Sequence, residues 1–221
     1  MTIVSIKTGT DWDLRCVELS NGSSLLFRTC YLSPSLADTN LCAYDNTNTI
    51  EGHELSQDEE EDLRFASDCL GAEKTGLQLI ARAEQTTFGL GQKLGKRGHD
   101  SACVKMVINR LCEEGLLEDF RYARLWLESR ISRQGSSPMR LLASLRAKGI
   151  DRKDAESAMK EVLNDEAERR LLERFIQKRQ GGKLGADLQH MEADDAARRS
   201  LKYLLKSEGF SSTAIEQFFE D

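Results

Sequence analysis

Residues 140–150 read Arg140-Leu141-Leu142-Ala143-Ser144-Leu145-Arg146-Ala147-Lys148-Gly149-Ile150. Leu141 and Leu145 lie four residues apart and share one helix face. Gly149, four further on, suits the left-handed position that ends a helix. Ile150 is then placed to pack back on the helix just finished. Asp151 follows as a good N-cap for a second helix. Upstream, Ser137-Pro138 opens the first helix as N-cap and first helical residue, where proline's missing N–H costs nothing. The stretch predicts a helix, a tight glycine turn and a second helix that buries Ala155 and Ala158.

The same spacing occurs twice more. Leu90, Leu94, Gly98, His99 and Asp100 form one copy; Leu201, Leu205, Gly209, Phe210 and Ser211 form the other. The positions six and nine residues past each glycine are Val104 and Val107 in the first, and Ile215 and Phe218 in the last. Successive glycines are 51 and 60 residues apart, room for three helices per unit. The additional helices are expected over Leu77–Gln85, Phe120–Ile131 and Glu166–Lys178. Repeats in series predict an elongated, modular, mainly α molecule. A generic helical bundle that retains a duplicated sequence would show the same pattern.

The N-terminal part has a different character. Val4 and Ile6 alternate with polar neighbours, as on a half-buried strand. Asn21-Gly22 between Leu14–Leu19 and Leu25–Leu32 signals a β-hairpin. Residues 33–50, rich in Ser, Thr, Asn and Asp, read as a loop. Ser56 and Glu59 form a capping box, and the acidic run 58–62 meets the positive end of a helix dipole. Leu63, Ala66 and Leu70 continue that helix, and Gly71 is expected to end it. His99 stands where the other copies have Ile150 and Phe210, so it reads as a packing residue.

Of 221 residues only two are proline, and 31% are charged. The start of the chain has no apolar core of signal-peptide length, and no apolar run approaches the ~18 residues of a membrane span. Six cysteines form no C-x-x-C pair, and three histidines lie far apart. Reduced thiols in a cytoplasmic protein are expected, with no metal. Gly89-Leu90-Gly91 follows no strand and precedes no Gly-Lys-Ser/Thr, so it is no phosphate loop. No nucleophile–base–orienter set is visible, so neither an enzyme nor a cofactor is expected.

The net charge of −6 hides a division. Residues 1–75 hold five basic and fourteen acidic side chains, whereas 76–221 hold 26 and 23. Residues 121–153 concentrate nine basic side chains, seven of them arginine, against Glu128 and Asp151. Arginine's planar fork suits carboxylates and phosphates. Arg124, Arg130, Arg133, Arg140, Arg146, Lys148, Arg152 and Lys153 are therefore the candidate partner-binding residues. Trp126, flanked in sequence by Leu125 and Leu127, reads as core.

The run Gly115-Leu116-Leu117-Glu118-Asp119-Phe120-Arg121-Tyr122-Ala123-Arg124-Leu125-Trp126-Leu127-Glu128-Ser129-Arg130 resembles the central signature of the RecX family, as does 140–150. Lys93–His99 and Leu204–Phe210 are similar to its first and third repeats. The resemblance covers about residues 55–221. It implies tandem three-helix units in an elongated curved stack, here preceded by a small β-hairpin segment. The expected division is 1–55 leader, then helical units over 56–118, 119–164 and 165–221. It implies a cytoplasmic, monomeric regulator that binds the RecA–DNA filament and mostly inhibits strand exchange, within DNA repair, recombination and the SOS response. Tyr122, Ala123, Trp126, Leu141, Leu145, Gly149 and Ile150 would build the fold; Arg130, Arg140 and Lys148 are the better candidates for contact. Relative to the family pattern, the third unit carries an insertion over Gln180–Gly185. Direct DNA binding by helix-turn-helix-like units is the alternative, and a scaffold without nucleoprotein partners is a third.

Overall fold

The structure, a computed structural model, describes residues 1–37, 52–178 and 195–220. Among these residues it holds ten α-helices and one three-stranded antiparallel sheet, so the protein is mainly α. The chain divides into two compact units. The first comprises Met1–Gln85 and Gly89–Leu117; the second comprises Thr86–Phe88 and Glu118–Asp221.

In the first unit, β1 (Ile3–Thr8), β2 (Leu14–Leu19) and β3 (Ser24–Arg28) pair in sequence order. Gly22 takes φ 81° in the β2–β3 turn, and Asn21 Oδ1 accepts from the Ser23 amide. Along β2 the side chains alternate, with Arg15, Val17 and Leu19 facing inward. A single helical turn, α1 (Pro34–Ala37), stands where a loop was expected, and the rest of that expected loop falls largely outside the described residues. Helix α2 (Gln57–Arg82) opens on the complete Ser56–Glu59 capping box.

Gly71 does not end α2. An exposed glycine weakens a helix by about 1 kcal/mol but does not break it. The buried stripe Leu63, Ala66, Leu70 continues through Glu73 to Gly76, and the helix expected from Leu77 is its final part. Gly76 is needed for packing: a Cβ there would sit 3.4 Å from Leu111 and 3.8 Å from Leu90. Those leucines come from α4 (Ser101–Glu113) and α3 (Thr87–Gly95). Sheet and helices share one core, which includes Val17, Phe27, Leu63, Leu90, Val107 and Leu111.

The second unit contains α5 (Asp119–Arg133), α6 (Pro138–Ala147), α7 (Arg152–Val162), α8 (Asp165–Gln177), α9 (Asp195–Ser207) and α10 (Ser212–Glu220). Its core includes Leu127, Leu141, Leu145, Leu171, Phe175, Leu201 and Leu205. The insertion at 180–185 lies outside the described residues.

The repeated turn is the same hydrogen-bonded device three times. Gly98, Gly149 and Gly209 have φ of 87°, 84° and 90°. The next residue's amide then donates to the second leucine's carbonyl: His99 to Leu94, Ile150 to Leu145, Phe210 to Leu205, at 3.4, 3.3 and 3.2 Å. This backward bond satisfies a carbonyl orphaned at the helix end. Asp100, Asp151 and Ser211 then cap the following helix. Ile150 and Phe210 are buried, while His99 is half-buried.

Candidate nucleoprotein interface

Helix α5 buries Ala123, Leu127 and Ile131, one residue per turn, against the second core. The residue before each of these lies about 100° round the helix. Tyr122, Trp126 and Arg130 therefore form a parallel, half-buried ladder at the edge of the core. Trp126 is thus not fully inside, as its apolar sequence neighbours suggested; its ring is shared between core and surface.

Two cations approach that ring. The Arg130 guanidinium carbon lies 5.2 Å from the Trp126 centroid, and Lys148 Nζ lies 5.7 Å from it. Lys148 Nζ is also 5.9 Å from the Tyr122 centroid. The quadrupole of each ring attracts the cations. Lys148 is held in place through its backbone: its carbonyl accepts from Thr86 Oγ1 at 3.0 Å, and it occupies the C-cap of α6. Gly149 allows the turn to press on Phe88, whose Cβ would be 2.2 Å from any Cβ at 149.

The other candidate cations divide into two groups. Arg124 faces Glu161 at 3.5 Å, and Arg152 binds Glu156 at 2.7 Å, so their charges are partly compensated. The Glu156 hydrogen bond also holds the Arg152 guanidinium above its ordinary range. Arg133, Arg140, Arg146 and Lys153 are exposed and make no ion pair with a described carboxylate. Leu141, Leu145, Gly149 and Ile150 lie in or beside the turn, with Leu141, Leu145 and Ile150 buried. Arg174 was not singled out from the sequence, yet its Nη1 donates to the Ile131 and Ser132 carbonyls, both at 2.7 Å, and closes the end of α5.

A second cationic surface also escaped sequence reasoning. On α9, Arg198, Lys202 and Lys206 recur every four residues, beside Arg199. Arg198 and Lys202 lie 5.2 and 5.0 Å from the Phe219 centroid, another ring approached by two cations. Tyr203 beside them is 79% exposed. The four-residue spacing of these cations was the available signal.

No group of three or more His, Cys, Asp or Glu side chains among the described residues could hold a metal ion. No helix among them is long and apolar enough to cross a membrane. Fold and sequence together define a class: helix–glycine turn–helix repeats, the middle one rich in arginine. The family profile "RecX, second three-helix domain" matches residues 119–159, the segment that carries the Trp126 ladder and the Lys148 turn. A "Regulatory protein RecX" from Halorhodospira halophila is 43% identical over 89 residues, covering 40% of this chain and 52% of that protein. One from Amycolatopsis mediterranei is 31% identical over 149 residues, covering 66% of this chain and 82% of that protein. A crystal structure of regulatory protein RecX matches with TM-score 0.67 at 17% identity, covering 100% of this chain and 99% of that one. The chain belongs to the RecX family of regulatory proteins.

Proposed function

We propose that this chain binds the RecA–DNA filament and restrains recombination, acting in the cytoplasm as a non-enzymatic monomer. The observation that carries the proposal is the set of exposed arginines without described acidic partners, Arg133, Arg140 and Arg146, in the same stretch as Arg130 and Lys148, which lie against the Trp126 ring. These lie in or beside the segment that matches the family profile. In this account the 1–55 leader and the units over 56–118, 119–164 and 165–221 act as modules. The middle module supplies the main contact. Arginine forks recognise carboxylates of the recombinase or phosphates of its bound strand.

The test adds pure protein to a RecA strand-exchange reaction at stoichiometric amounts. Inhibition is expected. The triple reversal R130E/R133E/R140E weakens it at least tenfold while helicity stays unchanged. No effect of the unaltered protein, or full activity of the triple variant, contradicts the proposal.

The paired rings and cations also favour a second reading, direct binding of nucleic acid. Its mark is affinity for naked DNA that falls steeply with salt. Weak and salt-insensitive binding to naked DNA counts against it.

A further inference from the structure

Two buried cysteines meet inside the first unit. Cys69 on α2 and Cys103 on α4 are 0% and 1% exposed. Their sulfurs lie 2.8 Å apart, with the Cys69 S–H donating to Cys103. Cys103 in turn donates to the Phe65 carbonyl at 3.7 Å. The two positions are 34 residues apart in sequence, so local chain geometry does not impose the meeting. A buried cysteine ordinarily behaves as a small apolar residue and gains nothing from a second sulfur. Here the packing of α2 against α4 places two thiols in contact inside the core.

We propose that Cys69 and Cys103 are an oxidative modification site, closing to a disulfide that ties α2 to α4. The co-reactant is a peroxide. The Cys103 thiolate attacks a peroxide oxygen, the O–O bond breaks, and Cys103 becomes a sulfenic acid. The Cys69 sulfur then attacks that sulfur; the S–S bond forms and water leaves. In sum, two thiols and one hydrogen peroxide give one disulfide and two waters. Each sulfur loses one electron, and the peroxide gains two.

Access sets the rate. Burial pushes both thiols up from the ordinary cysteine range, and the Cys69 S–H opposes that shift at Cys103. Position then decides which of the two reacts first, and Cys103 is the better placed. It sits in the first turn of α4, two residues past the start of the helix. Helix ends open far more readily than the whole unit unfolds. Oxidation proceeds through that fraying, slowly compared with exposed Cys30 and Cys112.

The test treats the full chain with hydrogen peroxide, blocks remaining thiols under denaturing conditions, and maps peptides by mass. A Cys69–Cys103 linked peptide, lost on adding dithiothreitol, is expected. C69A and C103A each abolish it, and C30A or C112A leaves it in place. The closed loop implies that the cross-linked protein's folding equilibrium constant in urea rises about 10²- to 10³-fold. Recovery of Cys69 and Cys103 as free thiols or as single-sulfur oxides overturns the proposal. So does a cross-link that joins either to another cysteine.

Discussion

Gly98 and Gly149 hold the same left-handed turn in different surroundings, so the same substitution separates two physical effects. A Cβ at 98 meets nothing within 4 Å, and one at 149 collides with Phe88. G98A should cost about 1 kcal/mol, the penalty of a left-handed L-residue. G149A adds a packing clash of about 1–3 kcal/mol. Urea unfolding of the two variants checks this, and equal losses would refute the packing role of Gly149. Arg28 offers a sharper test. Its guanidinium binds Asp13 at 2.6 Å and Glu73 at 3.0 Å, both carboxylates being 2% exposed. Burial works against its charge, but Glu73 and Asp13 outweigh this and hold it above the ordinary arginine range. Tyr31 also donates to Glu73, at 2.7 Å. R28A leaves two buried carboxylates short of a partner and should cost about 3 kcal/mol or more. A loss below 1 kcal/mol in denaturant titration would contradict the network's role.

At the scale of elements, the start of α2 is a titratable device. The Ser56 backbone and hydroxyl, followed by His53, hold the Glu59 carboxyl below its ordinary range. Because the folded value is depressed, this stabilisation is complete above the unfolded carboxylate pKa. It is lost as pH falls through the lower, folded value. S56A should cost about 1 kcal/mol at neutral pH. E59Q should flatten the acid limb of the stability curve, and an unchanged acid limb would refute the assignment. The capping box was legible in the sequence, as were the three glycine turns and the Asp100 and Asp151 caps, because each is a local pattern with a local cause. The continuity of α2 past Gly71 was not. Its cause is tertiary: Gly76 accommodates Leu111 and Leu90 from distant segments. Trp126 does pack against the core as read, but only in part, for a similar reason. Sequence neighbours Leu125 and Leu127 point in other directions, and the buried stripe is Ala123, Leu127 and Ile131. The Lys148–Trp126 contact joins two helices and leaves no trace in spacing.

For the whole molecule, the average charge of −6 conceals where cations gather. Residues Asp11, Asp13 and Glu73 surround Arg28 and Arg110, so part of the acidic excess of the N-terminal portion is spent on internal pairing. In the second unit Arg133, Arg140 and Arg146 lack such partners among the described residues, and α9 adds Arg199 and Lys206 at its surface. Replacing Arg133 and Arg140 by Ala should change stability by less than about 0.5 kcal/mol, because exposed side chains without fixed partners contribute little. It should nonetheless weaken filament binding. The repeat and the arginine-rich stretch were visible in the chain; which arginines lack an acidic partner among the described residues was not, since that depends on Glu161 and Glu156 across and along helices. The most direct test measures binding of the labelled protein to RecA filaments assembled on single-stranded DNA, and to the same DNA without RecA, across a salt series. Saturable binding to the filament is expected to persist at salt where binding to naked DNA has gone, and R130E/R133E/R140E is expected to abolish it. Equal affinity for filament and naked DNA at every salt concentration, or no binding to the filament, would contradict it.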